Sequence, residues 1–61
     1  MTRYYRDVYG GSAKIITHRD GTARLTASAG GKRFHAKTYS TERGAKIALG
    51  KIFSDGYWEV K

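Results

Sequence analysis

Residues 22–29, TARLTASA, alternate strictly between small or apolar and polar side chains, and they are bracketed by Asp20-Gly21 and Gly30-Gly31. A period of two is the signature of a half-buried strand. Asp-Gly and Gly-Gly accept the positive φ that tight hairpin turns demand. The segment is therefore fixed as a strand with an antiparallel neighbour on each side. Ala23, Leu25, Ala27 and Ala29 share one face, and Thr22, Arg24, Thr26 and Ser28 share the other. Asp20-Gly21 predicts a type I′ hairpin back to AKIITHR, residues 13–19, which reads as a strand through Ile15, Ile16 and Thr17. Gly30-Gly31 leads forward to KRFHAKTY, residues 32–39. There the alternation places Phe34, Ala36 and Thr38 on one face and Arg33, His35, Lys37 and Tyr39 on the other.

Past this three-stranded meander the period changes. Ser40 is a good N-cap and Glu42 suits the positive end of a helix dipole. Thr41, Ala45, Ala48, Leu49, Ile52 and Phe53 fall on one side at helical spacing, which predicts a helix over 41–54 with Gly56 as its C-terminal stop. The segments 4–9 (YYRDVY) and 57–60 (YWEV) each suit a short strand, the second set beside the first. The expected class is α+β: a three-stranded antiparallel β-meander packed on one C-terminal α-helix, with room for short extra edge strands at both ends.

With 61 residues the chain is read as a single small domain. It has neither cysteine nor proline, so no disulfide or thiolate metal site staples it, and the lack of cysteine fits a reducing cytoplasm. No apolar run approaches the length of a membrane span or a signal sequence. The formal net charge is +7. Residues 13–39 hold Lys14, Arg19, Arg24, Lys32, Arg33 and Lys37 against Asp20 alone. Charge concentrated this way suits a polyanionic partner, with nucleic acid first.

One helix covers one face of a sheet. If it covers the side with Leu25, Ala27, Phe34 and Ala36, the wet side presents Arg24, Thr26, Ser28, Arg33, His35 and Lys37, with Lys14 or Arg19 from the neighbouring strand. Such a face suits the major groove of DNA. Arg pairs bidentately with guanine, Thr and Ser serve phosphates, Thr also meets the thymine methyl, and Lys supplies phosphate charge. A plainer account is that strand surfaces carry Thr, Arg and Lys in any case. On the helix, Ile47 falls outside the apolar stripe among Arg43, Lys46 and Lys51. That is either a partner surface or ordinary surface scatter. The eight aromatic residues are assigned first to filling a small core, and only second to stacking on single-stranded bases. Tyr4 and Tyr5 are the doubtful pair, because adjacent strand residues face opposite ways.

Nothing points to catalysis or to a cofactor. His18 and His35 lack a third ligand within reach, and Asp7, Asp20, Glu42, Asp55 and Glu59 are scattered. There is no nucleophile elbow and no phosphate loop. A small-molecule substrate and a membrane are not expected as partners.

The run AKIITHRDGTARLTASAGGKRFHAKTYSTERGAKIALGKIF, residues 13–53, resembles in its layout the amino-terminal arm-binding domain of phage tyrosine recombinases. The plant ethylene-response DNA-binding domains share that order of strands and helix. The resemblance implies a sheet inserted in the major groove, with roles for Arg19, Arg24, Thr26, Arg33 and Lys37. An integrase would continue into core-binding and catalytic domains. The kinship therefore implies a free-standing phage or mobile-element accessory factor. A fainter likeness, in RGAK at 43–46, is to double-stranded-RNA-binding domains, but those place a helix before the sheet. The rival expectation is a small phage-type inhibitor, like an anti-CRISPR protein. It would bind a host nucleoprotein complex through the basic face or through Arg43, Lys46, Ile47 and Lys51.

Overall fold

The computed structural model describes residues 1–60. Its elements are β1 (Thr2–Asp7), β2 (Ser12–Thr17), β3 (Ala23–Ala29), β4 (Lys32–Tyr39), α1 (Glu42–Ile52) and β5 (Tyr57–Val60). The class is α+β, but the sheet has five antiparallel strands rather than three, in the order β4-β3-β2-β1-β5. The amino-terminal segment is an interior strand. β1 pairs with β2 on one side and with β5 on the other. Tyr5 explains why. It is buried opposite Ala13, and its ring meets Tyr57 edge-on with centroids 5.9 Å apart. Burial raises its phenol above the ordinary 10.0, with the Glu59 carboxylate adding to the effect.

Gly30 and Gly31 have φ of 60° and 79°, as a two-residue turn with both centres left-handed requires. The Asp20-Gly21 turn differs from expectation. No residue other than glycine has positive φ, so Asp20 is not left-handed and the turn is not type I′. The Gly21 amide donates to the His18 carbonyl at 3.1 Å, and the His18 amide donates to the Thr22 carbonyl at 2.8 Å. The loop thus holds three residues, with Gly21 alone in the left-handed region at 91°. Asp20 closes it by accepting the Thr22 amide at 3.0 Å and the Thr22 hydroxyl at 2.6 Å.

The helix also starts one residue later than Ser40 suggests. Thr41 is the N-cap, its hydroxyl accepting the Gly44 amide at 3.0 Å. It is exposed, so the expected place on the apolar side goes to the cap instead. The C-cap is Phe53 rather than Gly56; Gly56, at φ 126°, turns the chain into β5. Ala45, Leu49 and Phe53 bury against Ile15, Ala23, Leu25 and Ala27, with Ala48 and Ile52 packing at the margin. Ile15, Leu25 and Leu49 are fully buried, each worth about 1.5–3 kcal/mol of burial. No helix among the described residues is long and apolar enough to cross a membrane.

The largest departure from the alternation lies in β4. Ser28 faces Arg33 and Ala27 faces His35, so Phe34 is an extra residue in a β-bulge. A one-residue shift sends every later side chain to the opposite face. Ala23, Leu25 and Ala27 point to the helix, so their partners Tyr39, Lys37 and His35 do too. Ala36 and Thr38 join the open face, the reverse of expectation, and Phe34, left without a cross-strand partner, is 54% exposed rather than buried.

Candidate nucleic-acid interface

The helix-free face is assembled from odd and even positions fixed by the core. Because Ala13 and Ile15 point inward, Ser12, Lys14 and Ile16 point outward. Because Ala23, Leu25 and Ala27 are buried, Arg24, Thr26 and Ser28 face out. Lys14 pairs with Thr26, and Ser12 with Ser28, whose hydroxyl oxygens lie 3.1 Å apart. Arg33 precedes the bulge and reaches the same face as the partner of Ser28. Lys14, Ile16, Arg24, Thr26, Ser28 and Arg33 together line an open trough of about 540 Å³. The Arg24 guanidinium makes one long contact, donating to the Thr38 hydroxyl at 3.4 Å. Its lining combines the cations Lys14, Arg24 and Arg33 with the short hydroxyl side chains Thr26 and Ser28 and the apolar Ile16.

Lys14, Arg24, Thr26, Ser28 and Arg33 are therefore brought together as the sequence suggests. His35 and Lys37 are not. They lie on the helix side at the β4 edge and form a cluster with Tyr39. The His35 Nε2 and the Tyr39 hydroxyl are 3.1 Å apart, and the Lys37 Nζ lies 5.4 Å from the Tyr39 ring centre. Arg19 is exposed at the tip of the β2–β3 loop, clear of the trough. Arg43, Lys46, Ile47 and Lys51 sit on the outer face of α1, where Ile47 is 55% exposed and none of the described strands wraps over it.

Sequence reasoning missed the other half of the open face. Tyr4 and Arg6 on β1 point away from buried Tyr5. Opposite them on β5 stand Val60 and Trp58. Tyr4 is 55% and Trp58 52% exposed, and with Tyr9, Phe34 and Tyr57 also exposed, five of the eight aromatics assigned to the core lie outside it. The signal available was the one that made Tyr4 and Tyr5 doubtful: if one of the two fills the core, the other must leave it.

Acidic residues avoid this face altogether. Glu59 pairs across the strands with buried Tyr5 and so points to the helix side. There Arg3 lies 3.4 Å from Glu59 and 3.9 Å from Glu42. Asp7 folds over the β1–β2 turn, its carboxylate accepting the Gly11 amide at 2.6 Å and the Tyr9 amide at 3.0 Å. Asp20 is committed to its loop and Asp55 lies between α1 and β5. The open face carries Arg6, Lys14, Arg24 and Arg33 with no carboxylate among them. Comparison with family models, curated proteins and solved structures finds no match for this chain.

Proposed function

We propose that the protein binds double-stranded DNA through the open face of its sheet, with β2, β3 and β4 entering the major groove. The observation that carries this reading is the segregation of charge: four cations, short hydroxyl residues and no acid on one face. Neighbouring strands lie about 4.8 Å apart, so three of them span about 10 Å, within a groove about 12 Å wide. Arg24 and Arg33 both line the trough, and their forked guanidinium groups suit guanine edges. Thr26 and Ser28 let the sheet approach closely, and Lys14 serves a phosphate. The resemblance of residues 13–53 in layout to recombinase arm-binding domains supports this reading.

A fluorescence-anisotropy titration of mixed-sequence duplex tests this. Duplex binding should weaken with salt, by a log–log slope of about −0.9 per phosphate neutralised. Arg24→Ala/Arg33→Ala should abolish preference among sequences. Binding seen only at low salt and indifferent to those two arginines would remove the groove reader.

The exposed Ile47 among Arg43, Lys46 and Lys51 favours one second reading, a small inhibitor docking on a nucleoprotein complex by the helix. In that case Ile47→Asp does more damage than either arginine change.

A further inference from the structure

Two aromatic side chains that the core does not use, Tyr4 and Trp58, project from adjacent strands on the half of the open face that the groove leaves out. Tyr4 faces Val60 and Arg6 faces Trp58, so Tyr4 and Trp58 are diagonal neighbours on adjacent strands. Diagonal positions are within reach of one another for aromatic side chains. Lys14 stands beside Tyr4 on its other flank. Tyr4, Arg6, Lys14 and Val60 line a shallow concavity of about 390 Å³ that runs towards Thr26 and Ser28 of the trough. A domain of this size is short of buried apolar area. Leaving a Tyr and a Trp each more than half exposed therefore wastes core material unless something covers them.

The occupant follows from geometry and charge. Five strands span about 19 Å, too wide for a groove of about 12 Å, so β1 and β5 lie outside a groove filled by β2–β4. Inside a duplex the base faces are stacked on one another and only their edges are accessible. An unpaired base offers its face, and an aromatic ring flanked by cations is the surface that takes it. Arg6 then tracks the phosphates of that strand, and Lys14 stands where it leaves the duplex.

We propose that Tyr4 and Trp58 form a stacking platform for unpaired bases, receiving a single strand that continues out of the duplex held by β2–β4. The proposal rests on the groove reading above and adds the form of nucleic acid. The preferred ligand is a duplex with a single-stranded extension.

Three probes test it by anisotropy: a blunt duplex, the same duplex with a single-stranded extension, and the extension strand alone. Each is titrated with the parent protein, with Tyr4→Ala/Trp58→Ala and with Tyr4→Phe/Trp58→Phe. Circular dichroism confirms folding, which exposed positions should not disturb. The extension should tighten binding by on the order of tenfold per stacked base. The alanine pair should lose that gain and keep its blunt-duplex affinity, and the phenylalanine pair should retain most of the gain. Trp58 is the sole tryptophan, so its fluorescence should be quenched by the extended duplex and not by the blunt one. Equal affinity for blunt and extended duplex, with no quenching, overturns the platform; the groove reading then stands if blunt binding still depends on Arg24 and Arg33. Conversely, tight binding of the single strand that needs Tyr4 and Trp58, without any duplex binding, retains the platform and removes the groove reader.

Discussion

At Asp20 one carboxylate oxygen accepts both the amide and the hydroxyl of Thr22 and so closes the β2–β3 loop. The Thr22 hydroxyl, and after it the Thr22 amide, hold this carboxyl below its ordinary 3.8. A carboxylate with a depressed folded pKa contributes stability above its unfolded pKa and loses it as pH falls through the folded value. Asp20→Asn keeps an acceptor but not the charge. It should be less stable than the parent at neutral pH, and the gap should close below the carboxylate range, as urea titrations at the two extremes would show. A helical glycine offers the opposite change. Nothing lies within 4 Å of a methyl group added at Gly50. Gly50→Ala should therefore stabilise the protein by up to about 1 kcal/mol, raising Tm by a few degrees. Gly44 is different, because an added methyl would sit 3.3 Å from the Thr41 hydroxyl that caps the helix. At this scale the sequence names the right residue types but not always the right neighbour. Ser40 and Thr41 are both good caps, and only the path of the chain leaving β4 chooses between them.

At the scale of elements, the strands and the helix were legible because each follows from a period. Glycine pairs and alternation define β3, helical spacing defines α1, and YWEV defines β5. The side on which β4 points was not legible. KRFHAKTY alternates well, and a regular ladder would bury Phe34 and Ala36. The bulge breaks that ladder, and its cause is the partner strand rather than β4's own pattern. Tyr39 must face Ala23 to pack at the helix margin, while the two-residue turn sets Lys32 against Ala29. Eight residues then oppose seven, and one must be left over. Deleting Phe34 should therefore leave a regular ladder with His35 still facing Ala27. Cross-strand contacts by NMR would check this; loss of the fold, or Lys37 turning to the open face, would show that the extra residue lies elsewhere. The trough residues on β2 and β3 were readable from alternation alone, whereas Tyr4 and Trp58 needed to be placed against a core. For the helix, Thr41→Ala should cost about 1 kcal/mol by removing the cap, measured by urea unfolding.

The whole molecule depends on few buried side chains. A chain of 61 residues at roughly 0.05–0.15 kcal/mol per residue has only a few kcal/mol in hand. Leu49 is fully buried, and Leu49→Ala typically removes about 2–5 kcal/mol at such a site. That variant should be largely unfolded at room temperature, seen as loss of cooperative melting. The molecule is also divided electrically. Glu42 and Glu59 bracket Arg3 on the helix side, and the opposite face is left to cations. The bulge has one more effect at this scale. β4 is the outer strand on its side of the sheet, eight residues long, and its unpaired backbone edge is a template on which another chain could add a strand. The inserted Phe34 puts that edge out of step, and Lys32, Arg33 and Lys37 set like charges where an identical strand would lie. The irregularity that turns His35 and Lys37 to the helix side thereby makes this edge a poor template for further copies of the chain.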